Sequence, residues 1–265
     1  MGQMDVIVMA GGVPGQKDAL YAVTQGGYKA MLEVAGKPMI QWVLDALSES
    51  PSIQRVAVVG LPPLTALDCE KPLIMLANTG EIVENVRAGA VELAKHNPDG
   101  AKVLILSADL PALKAEMVEW LVGQIEASDH DLYGFVLNRK SVEAFNCGEQ
   151  RVYAHLKDAE VCLADAAGLL TSFANRVEHP LWQKLIEVRQ SPTRQAALLG
   201  YDVLFLLMLR QLKLKEAEAA INRRLGVNAT AIPCPYPELA LDVDRPRDLE
   251  VLNDLLIKRT AMGGD

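Results

Sequence analysis

The sequence predicts an α/β fold organised around a mostly parallel, doubly wound sheet. Three observations carry that prediction. Short, β-branched apolar runs recur through the first half of the chain. Stretches with one apolar helical face separate them. The runs give way to Gly, Pro, Asn or Asp, residues that stop a strand and open a loop.

The first run, Asp5 to Ala10, ends at Gly11-Gly12 and has the length and branching of a strand buried on both faces. A polar stretch, Val13 to Tyr28, follows. Pro38 opens a helix that places Met39, Ile40, Val43, Leu44 and Leu47 on one face. Arg55 to Gly60 is the second strand, broken by Pro62 and Pro63. Leu73 to Leu76 is the third, closed by Asn78-Thr79-Gly80. Glu81 to Lys95 is helical, with Ile82, Val86, Ala90 and Leu93 on its apolar face. Lys102 to Ser107 is the fourth strand and ends in Ala108-Asp109-Leu110-Pro111. A helix over Lys114 to Ala127 and a fifth strand over Asp131 to Leu137 complete the alternation.

Beyond Asn138 the pattern loosens. Residues 139–168 are mixed. Residues 181–226 read as helical, and the apolar run Ala196 to Leu209 is expected to be a buried helix, well short of the ~20 residues of a membrane span. Ala229 to Ile232 is a late strand, and Pro233, Pro235 and Pro237 make a stiff connector. Leu239 to Asp244 then leads into a closing helix over Arg247 to Ile257. Right-handed crossovers would bring the strand C-termini to one edge, where sheets of this kind bind ligands.

Composition narrows the function. Of 265 residues, 50% are hydrophobic, enough for a sizeable core. A net charge of −8, no Lys/Arg run and only 5% aromatics argue against a nucleic-acid partner. The four cysteines form no C-x-x-C pair, which disfavours zinc and suits a reducing compartment. Met1 to Asp5 has neither the basic region nor the apolar core of a secretion signal, so the expectation is a cytoplasmic, soluble protein without a membrane partner.

Three features meet at the expected ligand edge. Glycines in Ala10-Gly11-Gly12 would let backbone N–H groups approach an anion, although a tight turn would use them too. The segment is not a G-x-G-x-x-G fingerprint, which counts against a dinucleotide. Lys29, in the loop after the first strand, could place a point charge on phosphates or be a solvated surface lysine. Asp109 and the pair Asp242 and Asp244 stand at strand ends. They could hold Mg²⁺, which takes one or two carboxylates plus phosphate oxygens, or they could cap helices opened by Pro111 and Pro246.

These pieces, in order, resemble the nucleotidyltransferase superfamily. They are Val8-Met9-Ala10-Gly11-Gly12, Lys29-Ala30-Met31-Leu32, Gly36-Lys37-Pro38-Met39-Ile40, Leu106-Ser107-Ala108-Asp109-Leu110-Pro111 and Leu241 to Leu249. That superfamily includes the sugar-1-phosphate nucleotidyltransferases and the molybdenum-cofactor guanylyl- and cytidylyltransferases. The resemblance covers roughly residues 5–138 and 227–257. It implies a Rossmann-like, glycosyltransferase-A-like three-layer sandwich with a mostly parallel sheet and a helical insertion. It further implies transfer of an NMP group from an NTP to a small phosphorylated acceptor, with pyrophosphate released.

By the same resemblance, Ala10, Gly11 and Gly12 would hold the nucleotide, and Lys29 would contact its phosphates. Asn78-Thr79-Gly80, with Asn85 a turn further on, would be the base loop. Asp109 and Asp244, with Asp242 beside them, would hold Mg²⁺. The loop after the glycines carries Lys17 where the family has an Arg, and no Gly-Asn occurs in residues 156–166. The chain then divides into a nucleotide-binding part (1–138), an acceptor-side, mostly helical insertion (139–226) and a C-terminal return to the core (227–265). His155, Lys157 and Asp158 could reach an acceptor or be plain surface residues. The 181–226 helices could form core or a homo-oligomer interface. Two other readings stand beside this one: a glycosyltransferase using Asp242-Val243-Asp244 as a D-x-D motif, and a nucleotide-binding regulatory protein with reduced catalysis.

Overall fold

The structure, a computed structural model, describes residues 3–97, 101–145, 151–174, 206 and 208–262. Its strands are β1 (Met4–Met9), β2 (Glu33–Val34), β3 (Lys37–Pro38), β4 (Ile53–Val59), β5 (Leu73–Leu76), β6 (Lys102–Ser107), β7 (Leu132–Asn138), β8 (Ala154–His155), β9 (Glu160–Leu170) and β10 (Ala229–Pro233). Its helices are α1 (Tyr21–Thr24), α2 (Met39–Glu49), α3 (Ile82–Ala94), α4 (Ala115–Glu126), α5 (Arg139–Glu143), α6 (Thr171–Ala174), α7 (Leu214–Leu225) and α8 (Pro246–Met262). The main sheet runs β10-β7-β9-β6-β1-β4-β5, with β8 on β9, and β2 and β3 form a separate ribbon.

β1 sits at the centre, parallel to β4 on one side and β6 on the other. Its alternate residues feed two cores. Val6 and Val8 pack with Val56, Val58 and Leu104 beneath α2 and α4, whereas Ile7 packs with Ala57, Val59 and Val103 beneath α3. Burying a side chain such as Ile7 or Val8 contributes roughly 1.5–3 kcal/mol. Helices on both faces of the sheet make the expected three layers. The stripe predicted for α2 is buried in full, with Met39, Ile40, Val43, Leu44 and Leu47 all at 0% exposure.

α3 is rotated from its predicted face. Its buried residues are Asn85, Gly89, Ala90 and Leu93, and Ile82 is exposed. Gly89 explains the rotation, because a Cβ there would lie 2.9 Å from the Ile7 side chain. The glycine lets α3 close on β1, and that orientation turns Asn85 toward the loop after β5.

The largest departure from the sequence reading is β9. This 11-residue strand lies in the middle of the sheet, antiparallel to both β6 and β7, inside a segment read as mixed and mostly helical. Pairing on both edges satisfies its backbone groups and outweighs its Ala-rich composition. Gly168 is required there, since a Cβ would come within 2.8 Å of Ile125. The late strand β10 joins the sheet edge parallel to β7.

Most of the predicted apolar helix Ala196 to Leu209 lies outside the described residues. Leu206, Met208 and Leu209 at its end are exposed rather than buried. An interface through the 181–226 helices likewise falls mostly on undescribed residues, with α7 as the described helix there. No helix among the described residues is long and apolar enough to cross a membrane.

Candidate active site

The C-terminal ends of β1, β4, β5 and β6 meet at one edge, as parallel pairing requires. The turn after β1 is pressed against the turn after β4. Gly60 has φ +118°, and a Cβ on it would lie 2.3 Å from the Gly11 backbone. Glycine at both positions therefore permits the close approach. A Cβ on Gly11 would in turn meet the Asn78 side chain at 3.1 Å.

A cleft of 290 Å³ opens beside this turn, lined by residues that include Ala10, Gly11, Gly12, Lys29, Asn78, Gly80, Asn85 and Asp109. Most of the residues singled out by sequence thus share one wall. Lys17 lines an adjoining cavity with Gly12, Lys29, Asp244 and Arg245. Thr79 is exposed beside the cleft rather than lining it. Its N–H and hydroxyl both donate to Asn85 Oδ1 at 2.8 Å. Asn85 Nδ2 donates to Asn78 Oδ1 at 3.0 Å, and Asn78 Nδ2 donates to the Gly11 carbonyl at 3.2 Å. The two asparagines brace the loop against β1 and also take up its Thr79 and Gly80 N–H groups.

Lys29 begins a 3₁₀ turn, and its N–H donates to the Gly12 carbonyl at 2.8 Å. Its ammonium lies 2.6 Å from Asp109 and 2.7 Å from Asp244, with the side chain 16% exposed. Burial alone would lower its pKa, but the two carboxylates outweigh it and hold the ammonium above the usual lysine range. Asp244 is depressed: burial opposes ionisation, and Lys29 more than reverses that. Ser107 donates its hydroxyl to Asp109 and fixes that side chain at the end of β6.

Neither aspartate is a helix cap. The N-cap of α4 is Lys114, so Asp109 is free of that role. At α8 the capping side chain is Asp248, which accepts from the N–H groups of Asp244 at 3.2 Å and Arg245 at 2.8 Å. That leaves the Asp244 carboxylate for Lys29. Carboxylate oxygens of Asp109, Asp242 and Asp244 lie within 4.8 Å of one another. Hard oxygen donors at this spacing are of the kind a small divalent cation such as Mg²⁺ takes, and an ion bound there would compete with the Lys29 ammonium for Asp109 and Asp244.

Two residues that sequence reading missed complete the cluster. Arg151 donates from Nη2 to Asp242 at 2.6 Å and to Asp165 on β9. Burial, reinforced by the neighbouring carboxylates, pushes Asp242 up to about 7 although Arg151 opposes the shift. Burial also raises Asp165, again against Arg151. Beyond this pair lies an apolar cavity of 720 Å³ between β7, β9, β10 and α7, whose lining includes Arg151, Asp165, Leu163, Val136, Ile221 and Ala231. His155 and Asp158 hold structural partners: His155 Nδ1 pairs with Glu160 at 2.7 Å, and Asp158 accepts from the Leu214 N–H at 3.3 Å.

A nucleotide-sized cleft on a glycine turn, with a lysine and carboxylates at the same sheet edge, is the arrangement of an α/β nucleotidyltransferase. The chain belongs to the MobA-like NTP transferase domain family, which matches residues 6–199. It is 31% identical to a hypothetical transferase from Thermus thermophilus, with a TM-score of 0.78 over 93% of this chain and 99% of that one. The fold is shared more distantly by CMP:2-keto-3-deoxy-manno-octonic acid synthetase complexed with CTP, at 17% identity and TM-score 0.57 over 98% and 100% of the two chains. It is shared also by 2-C-methyl-D-erythritol 4-phosphate cytidylyltransferase from Thermus thermophilus, at 16% identity and TM-score 0.51 over 96% and 98%. No curated protein matches the chain significantly.

Proposed function

We propose that this nucleotidyltransferase moves an NMP group from an NTP to a small phosphorylated acceptor, with Mg²⁺ and with release of pyrophosphate. The observation that carries the reading is the juxtaposition of the Gly11-Gly12 cleft with Lys29, Asp109 and Asp244. Ala10, Gly11 and Gly12 offer a close backbone surface for the nucleotide. The loop at Asn78-Thr79-Gly80, braced by Asn85, is read as the base loop, a reading supported by Asn78 and Gly80 lining the same cleft as Gly11 and Gly12. Lys17 faces the neighbouring cavity, where a triphosphate tail could extend.

In this reading Asp109 and Asp244 hold the metal, with Asp242 behind them. Bound Mg²⁺ would neutralise phosphate charge and polarise the α-phosphorus. Lys29 then adds a positive charge next to the oxygens on which charge develops. No separate general base is required, because positioning and neutralisation supply most of the rate in such transfers. The acceptor is assigned to the β9 side and the 139–226 segment, a reading supported by the cavity that shares Arg151 and Asp165 with the acidic cluster.

The test is a screen of the four NTPs against phosphorylated metabolites, sugar phosphates among them, read by pyrophosphate release. Release that needs Mg²⁺, an NTP and an acceptor together is expected. NTP binding without consumption in any combination would favour a regulatory nucleotide-binding protein. Consumption of an intact nucleotide-sugar without pyrophosphate would favour a glycosyltransferase.

A further inference from the structure

Arg151 ties three separate stretches of chain together at the site. Its Nε donates to the Ala240 carbonyl at 3.0 Å, and its Nη1 donates to the Leu163 carbonyl at 2.8 Å. Its Nη2 is shared between Asp242 and Asp165. The side chain is 15% exposed. All three guanidinium nitrogens are thus engaged by protein acceptors, and the residue is poorly placed to bind a substrate.

The geometry separates the carboxylates of the site into two pairs. Lys29 bridges Asp109 and Asp244, and Arg151 bridges Asp165 and Asp242. Asp242 lies close enough to join a divalent ion beside Asp109 and Asp244. Arg151 already engages its Oδ1, so that oxygen is committed to the guanidinium. A planar guanidinium with fixed donors holds a carboxylate in one orientation far better than a flexible ammonium would, and its charge is permanent.

We propose that Arg151 is a positioning residue that reserves Asp242 for the protein, so that the divalent cation is held by Asp109 and Asp244 without a third carboxylate. This rests on the metal reading given above. Its consequence is a site of moderate affinity. Three carboxylates around one ion would bind it tightly and leave less positive charge for phosphate oxygens to share. With Asp242 engaged by Arg151, the ion keeps positions for substrate, as Mg²⁺ sites with one or two carboxylates do.

The experiment is Mn²⁺ binding to the full-length protein, followed by electron paramagnetic resonance with and without NTP. Mn²⁺ serves as the visible substitute for Mg²⁺. The wild type is expected to bind Mn²⁺. R151M removes the positive charge and frees Asp242, so Mn²⁺ should bind about ten-fold tighter or more, or with a second ion. R151K keeps a charge without the fork and should still bind Mn²⁺ more tightly than the wild type, because a flexible ammonium does not hold Asp242 in place. A merely structural loss would weaken Mn²⁺ binding in both variants rather than tighten it. D242N in the wild-type background should change Mn²⁺ affinity by less than about three-fold, because Asp242 is not a ligand.

Unchanged or weakened Mn²⁺ binding in R151M overturns the inference. So does a loss of about ten-fold or more in D242N, which remains informative even if R151M fails to fold. Absence of Mn²⁺ binding to the wild type, with or without NTP, sinks the metal reading itself and is a separate outcome.

Discussion

The cleft beside β1 and the cavity beside β9 meet at the same acidic cluster, yet they are built by different means. The β1 side is formed by turns: Gly11 against Gly60, the loop at Asn78 to Gly80, and one lysine between two aspartates. The β9 side is formed by side chains on paired strands and a helix, and its walls are mostly aliphatic. One side presents backbone N–H groups and charge, which suit a nucleotide common to many transferases. The other presents shape, which suits discrimination among acceptors. In the proposed reading, the nucleotide chemistry is kept on the β1 side and the choice of acceptor is made on the β9 side.

Four substitutions would break or sharpen that contrast. Asp109→Asn removes one carboxylate from the cluster and should lower Mg²⁺-dependent turnover by roughly a thousand-fold, measured as pyrophosphate release, with little change in melting temperature. Near-normal turnover would remove Asp109 from the metal site. Gly60→Ala drives a Cβ into the Gly11 backbone at a positive φ and should destabilise the fold by about 3 kcal/mol, seen in denaturant titration. A neutral result would mean that the two turns can separate.

Lys29→Ala should weaken triphosphate binding by roughly ten- to a hundred-fold, and monophosphate binding much less, by calorimetry. Equal losses would place the lysine away from the β- and γ-phosphates. The smallest effect is expected on the other side. Leu163→Asn changes an exposed wall of the apolar cavity and should leave NTP affinity within about two-fold and stability within about 0.5 kcal/mol. A large loss of NTP affinity there would show that the two halves are not separable.

The β1 side was legible in the sequence because its signals are local. A β-branched run followed by two glycines, and an apolar run that stops at Asp109, name their own places at a strand end. Asp242 and Asp244, expected at another strand end, instead follow a 3₁₀ turn (Pro237–Ala240) in a segment that pairs with no strand. The structure adds that Asp248 does the capping at α8, which sequence leaves open between Asp244 and its neighbours. The β9 side was not legible. β9 is rich in Ala and owes its strand state to β6 and β7, which are remote in sequence. Arg151 and Asp165 acquire their meaning only when that pairing carries them to Asp242. No local spacing announces such a meeting. α3 falls between the two cases: its helix was readable, but its rotation depends on Gly89 fitting over Ile7.

The most direct test of a shared metal and nucleotide edge is NTP binding by calorimetry with and without Mg²⁺, in the wild type and in Asp244→Asn. Mg²⁺ should tighten NTP binding about ten-fold or more in the wild type and by less than about two-fold in the variant. The same Mg²⁺ enhancement in both proteins would contradict the assignment of the ion to Asp244 and, with it, the meeting of metal and nucleotide at this edge.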